Sequence, residues 1–178
     1  MAATPTSSNH YDTRRIGSGW LEAAAIAVAL AGAAWLARPQ TSDAADHEAA
    51  ADLRDDLQFL RTQIMVYRAQ HAGRNPGYPG GDETRLPDVQ TFIAQMSHYS
   101  DAEGNTSATP TRRHGHGPYL HEMPANAFNG HSEIVLVLEP DFPAEPVAGA
   151  GWLYQPSTGR VIANLSGGDG QGKAYRDY

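Results

Sequence analysis

The sequence predicts an α+β chain in which a long N-terminal, membrane-anchored helix packs on a small antiparallel β-sheet head. Three observations carry this expectation: a continuous apolar run over residues 20–37, an amphipathic stretch that follows Pro39, and three short strand-like runs in the second half. The chain has 178 residues, 18 glycines, 12 prolines and a formal net charge of −7. That length suits one ordinary domain plus accessory segments. The acidic balance argues against nucleic-acid binding, which needs a basic face for the phosphates. Cysteine is missing altogether, which excludes disulfides, a thiolate metal site and a cysteine nucleophile.

The first element is the run WLEAAAIAVALAGAAWLA from Trp20 to Ala37, half of it alanine, with Glu22 as its sole charge. As a helix it would be about 27 Å long, close to the hydrocarbon thickness of a bilayer. It is apolar on every face, unlike an ordinary core helix, and Ala37-Arg38-Pro39 is a poor signal-peptidase site. Arg14 and Arg15 precede it while Asp43, Asp46 and Glu48 follow it. This asymmetry predicts a cytoplasmic N-terminus and an exported C-terminal part. Glu22 has two readings from the residues alone: a functional intramembrane carboxylate, or a charge resting in the headgroup zone.

The second element is a helix from Ala44 to about His71, with Asp43 or Asp46 as candidate N-cap. Leu53, Leu57, Leu60, Ile64, Tyr67 and His71 recur in alternating steps of four and three, an apolar stripe suited to packing on a sheet. Gly73 and Asn75-Pro76-Gly77 are its stop. Pro87-Asp88 opens a second short helix carrying Val89, Phe92, Ile93, Met96 and Tyr99. Residues 100–118 are polar and read as a mobile loop, its Asp101–Asn105 segment as an ordinary turn. Strands are predicted at 133–138, 151–155 and 160–164, the last two joined at Pro156-Ser157-Thr158-Gly159 as a hairpin. The glycine-rich residues 166–178 read as a flexible tail.

Several short motifs share one family character. Arg14-Arg15-Ile16-Gly17-Ser18-Gly19-Trp20-Leu21-Glu22 resembles the prepilin peptidase site of type IV pilins and type II secretion pseudopilins. LRTQIMVYRAQHAGRNPGYP, the Gly117-Pro118-Tyr119-Leu120 segment and GWLYQPSTGRVIAN are similar to G-type pseudopilin stretches. The resemblance implies a pilin-like fold with a leader over 1–17, a polymerisation helix over 18–38, a spine over 39–73, a periplasmic head over 74–165 and the tail. It implies cleavage between Gly17 and Ser18, with N-methylation of the new terminus. In that frame Glu22 is the fifth mature residue, and Pro39, the twenty-second, kinks the helix. Glu22 would pair with the Ser18 amino group of a neighbouring subunit and set register, although a buried ion pair need not add net stability.

The implied function is a structural subunit of a short periplasmic fibre for type II protein secretion, anchored in the cytoplasmic membrane. Its implied partners are further copies of itself, other pseudopilins, prepilin peptidase and the inner-membrane secretion platform. By the same resemblance Asp169 and Asp177 are candidate calcium ligands in the tail. Two other classes stay open. One is an uncleaved, signal-anchored periplasmic binding module. The weaker one is a metal-dependent enzyme built on His114, His116 and His121. The sequence has no G-x-S-x-G elbow and no phosphate-binding glycine loop, and a catalytic role is not expected.

Overall fold

The computed structural model describes residues 40–178. The apolar run 20–37, the Gly17–Ser18 pair, Glu22 and Pro39 lie outside the described residues. Among the described residues no helix is long and apolar enough to cross a membrane.

The first helix, α1, is described over Gln40–Gln70. Asp43 and Asp46 fall inside it instead of capping it, and Asp43 in the first turn favours the positive end of the helix dipole. Every member of the predicted stripe is buried: Leu53 and Leu57 at 0% exposure, Leu60, Tyr67 and His71 at 1%, Ile64 at 3%. Each such aliphatic side chain contributes about 1.5–3 kcal/mol by leaving water, enough for the stripe to decide which face turns inward. The stripe starts at Ala50; residues 43–48 are exposed, and Asp43, Asp46 and His47 line a cleft with Gly168, Asp169 and Tyr175 of the tail. The helix ends a turn before Gly73. Ala72 takes a positive φ of 56°, and the Gly73 N–H donates back to the Arg68 carbonyl at 2.8 Å. That closing bond satisfies one of the carbonyls left over at a helix C-terminus.

A short 3₁₀ turn, Pro79–Gly81, leads to α2, Val89–Ser97. The helix opens after Pro87-Asp88 as expected, with Asp88 as its N-cap, its carboxylate accepting the Thr91 N–H at 2.7 Å. Phe92 and Met96 are buried. Tyr99, expected on this helix, instead opens strand β1, Tyr99–Ser100, because the helical ladder closes at the His98 N–H bond to Ala94. Strand β1 pairs antiparallel with β2, Thr106–Ser107. Residues 100–118 are therefore not a featureless loop, as the sequence suggested, but a small hairpin tied by a further bridge from Ser100 to His116.

Strands β3 (Ile134–Leu136), β4 (Trp152–Gln155) and β5 (Arg160–Ala163) form the main sheet in that order. The β4–β5 hairpin is antiparallel, as predicted. The β3–β4 pair is parallel, which corrects the expectation of a wholly antiparallel sheet. The cause is the connection over residues 137–151, long enough to cross back and start β4 at the same end as β3. Phe142 and Val147 of this connection pack with Val137, Leu153 and Ile162 on the outer face of the sheet. Amide side chains hold it there: Asn164 Nδ2 donates to the carbonyls of Val147 and Ala150, both at 2.7 Å, and Gln155 Nε2 to those of Glu139 and Pro140.

The inner face presents Ile134, Trp152, Tyr154, Val161 and Ala163 to the stripe of α1 and to Phe92 and Met96 of α2. Alternation along β4 and β5 thus places successive residues in two separate apolar clusters. The polar tips of the large aromatics are satisfied: Trp152 Nε1 donates to the Pro124 carbonyl at 2.8 Å and the Tyr154 hydroxyl to Pro76 at 3.0 Å.

Candidate functional site

Two side-chain constellations stand out. The first joins the tail to the spine. Asp169 tops a turn in which its Oδ1 accepts the N–H groups of Gln171 and Lys173, each at 2.9 Å. Its Oδ2 accepts from Arg54 Nη2 at 2.9 Å and from the Tyr178 hydroxyl at 2.8 Å. The Arg54 guanidinium also lies 4.2 Å from the Tyr178 ring centroid, a cation–π contact that uses the same arginine twice. The Lys173 N–H and the Tyr178 hydroxyl, with Arg54 adding charge, hold the Asp169 carboxyl below its usual range.

The tail that its glycines marked as flexible is accordingly folded back along α1. It closes with a Gly168–Ala174 bridge, a 3₁₀ turn at Tyr175–Asp177 and packing of Tyr175 on Phe128. Arg54 and Tyr178 were not foreseen. The available signal was slight: an arginine beside the apolar stripe, and three aromatic or basic residues closing an otherwise glycine-rich run.

The candidate calcium pair is placed differently from a cation site. All four groups that meet Asp169 are hydrogen-bond donors, whereas a calcium shell is built of oxygen acceptors. Asp177 is exposed on the 3₁₀ turn. Among the described residues no three histidine or acidic side chains converge as a metal-binding group. The arrangement predicts that tail amides 168–178 exchange hydrogen at the same rate with or without a calcium chelator, and several-fold faster in Arg54→Ala. Slower exchange on adding calcium would show that the carboxylate prefers a cation to Arg54.

The second constellation lies beneath the C-terminal end of α1. His71 stacks on Tyr67 with ring centroids 3.8 Å apart. Its Nδ1 lies 2.7 Å from the Tyr67 carbonyl, which only accepts, so Nδ1 carries the proton and Nε2 accepts the Ser100 hydroxyl at 3.0 Å. Burial lowers the His71 pKa, partly opposed by that carbonyl bond, while His116, its ring 5.4 Å away, disfavours a second positive charge.

Beside it the carboxylate of Asp101 accepts the N–H groups of Glu103 and Asn105, the Asn105 side chain, and Arg113 Nε at 2.8 Å. The expected turn at 101–105 is present and built on this residue. Gly104 within it has φ 85°, and a Cβ there would sit 2.6 Å from the Tyr67 hydroxyl, so only glycine fits. Ser100, which pairs with His71, is fully buried. The predicted histidine group is dispersed: His114 bonds Thr111 at 2.9 Å, His116 bridges to Ser100 through its backbone, and His121 is exposed.

No protein-family model, curated protein or solved structure matches the chain.

Proposed function

We propose that this chain is a pseudopilin-like structural subunit, anchored by its N-terminal apolar segment and assembled through its helix into a short periplasmic fibre for protein secretion. The observation that supports it best is the form of α1. Over the described residues it runs for 31 residues from Gln40, directly after the apolar run and Pro39 in the sequence, and it is buried against the head from Ala50 onward. A long helix that is exposed over residues 43–48 and packed on the head further along suits side-by-side stacking of spines with heads arrayed outside. The motif frame adds its support: one cleavage after Gly17 places both Glu22 and Pro39 at positions usual for the family. In this reading Glu22 pairs with the Ser18 amino group of the next subunit and sets axial register. Prepilin peptidase, other pseudopilins and the inner-membrane secretion platform are the corresponding partners.

The test is intact-mass measurement of the chain from cells with and without prepilin peptidase. Loss of residues 1–17 is expected only with the peptidase, and Glu22→Ala is expected to insert in the membrane yet fail to enter fibres. An uncleaved chain that still reaches the membrane would replace this reading with that of a signal-anchored binding module.

A further inference from the structure

The spine helix carries opposite charges on its two flanks. Arg54, Arg61 and Arg68 follow one another at seven-residue intervals, two helical turns apart, and so share one flank beside the buried stripe. Glu48, Asp52, Asp55 and Phe59 follow steps of four, three and four and share the other. Asp52 and Arg61, nine residues apart, point about 180° from each other around the helix.

On the basic side, Arg61 joins Arg160 of β5 and Arg176 of the tail in lining a cleft of about 450 Å³, with Asp177 beside them. These guanidinium groups touch carbonyls or a ring: Arg61 donates to Val161 at 3.2 Å, Arg176 to Pro143 at 2.8 Å, and Arg160 lies 5.2 Å from the Phe142 centroid. Among the described residues none of the three has a carboxylate within ion-pair distance. On the acidic side Glu48, Asp52 and Asp55 are exposed and likewise have no ion-pair partner among the described residues. Phe59 ends this row, one turn beyond Asp55, at 45% exposure. Burial, then repulsion from Asp52 and Asp55, raises the pKa of the adjoining Asp56, a sign of uncompensated negative charge along this flank.

We infer that the arginine cleft of Arg61, Arg160 and Arg176 receives the acidic flank of a second copy of this chain, with Phe59 extending the contact one turn beyond Asp55. The inference rests on the fibre-subunit reading above and names the surfaces that would make it. Opposite charge on opposite sides of one rod suits a heterologous contact, which repeats without closing and so builds a filament instead of a symmetric dimer. Complementary fields also speed encounter and fix register more than they raise affinity.

The experiment uses two differently tagged full-length copies, expressed together and co-purified from membranes. Wild-type copies are expected to co-purify, and to do so at least tenfold less at 1 M salt than at 0.05 M, since added salt shortens the screening length from beyond about 10 Å to about 3 Å. Copies with Asp52→Arg and Asp55→Arg should no longer associate with themselves, nor should copies with Arg61→Glu and Arg160→Glu. A mixture of the two kinds should associate again, because each then offers the other two matched surfaces. This recovery also shows that both variants fold. If circular dichroism shows that a reversed chain is unfolded, the wild-type salt series and the neutral Asp52→Asn/Asp55→Asn chain decide instead. Salt-insensitive association, self-association of the reversed copies, or no recovery in the mixture would overturn the inference. So would occupation of the cleft by a different protein or by inorganic phosphate in place of a second copy. Wild-type copies that never associate, with residues 1–17 retained, would overturn the subunit reading itself; association indifferent to these charges would overturn only the surfaces named here.

Discussion

Leu57→Ala is expected to lower the unfolding free energy by about 3–5 kcal/mol, while Phe59→Ala changes it by less than about 1 kcal/mol. Leu57 is 0% exposed inside the cluster that joins α1 to the sheet, so truncation removes its transfer energy and leaves a cavity between rigid elements. Phe59 stands 45% exposed on the acidic flank, outside both apolar clusters of the head. Guanidinium unfolding of the full chain in detergent measures both. Equal losses would mean that the stripe does not set the packing face. The contrast has a functional side as well, since Phe59→Ala should keep the fold and weaken only association between copies.

Asp101→Ala is expected to cost about 1–2 kcal/mol, because the buried carboxylate is the acceptor that organises the 101–105 turn, while the freed donors of the exposed Asn105 turn to water. The exposed Arg113 contributes little of this, as its guanidinium is readily solvated. The same residue sets part of the acid response. Burial pushes the Asp101 carboxyl up, but the hydrogen bonds from Asn105 and Arg113 outweigh it, and its folded pKa lies below the usual value. Its contribution is therefore complete above the ordinary carboxylate range and is lost as pH falls through the depressed folded value.

His71 has the same sign for a different reason. Burial lowers its pKa, so a neutral imidazole is what the core accepts. Its contribution is complete above about pH 6.5, the ordinary imidazole value, and is lost as pH falls through the folded value. Denaturant midpoints measured from pH 7.5 to 3 should thus fall in two stages, the upper one due to His71 and the lower one to Asp101 together with Asp82, Asp88 and Asp169. Asp101→Ala should shrink the lower stage, leaving the share of Asp82, Asp88 and Asp169, and spare the upper. A midpoint flat between pH 7 and 5 would contradict a buried neutral His71.

The helices and strands were readable because their signals are local. A stripe from Leu53 to Tyr67 needs only the 3.6-residue repeat, Asp88 needs only an N–H three residues on, and Val161-Ile162 needs only a turn before it. The candidate sites were less readable because each depends on residues far apart in sequence. Arg54 and Asp169 are 115 positions apart, and no spacing rule links them. His71 was assigned correctly to the buried stripe, yet its hydrogen bond to Ser100 follows from the hairpin that β1 and β2 make, which the polar composition of residues 100–118 concealed.

What the sequence determined by itself is the amphipathic spine, its buried face, the capped second helix and the β4–β5 hairpin. In all of these the hydrophobic pattern and the turn residues act within a dozen positions of one another. Only the tertiary structure decided that β3 runs parallel to β4, that the glycine-rich tail returns to α1, and that Asp101 and His71 become the polar heart of the head. Strand direction depends on where a long connection finds apolar surface to cover, here Leu153 and Ile162 under Phe142 and Val147. The return of the tail depends on a guanidinium presented by a distant helix. Such choices belong to the assembled surface, which no local stretch of the chain encodes.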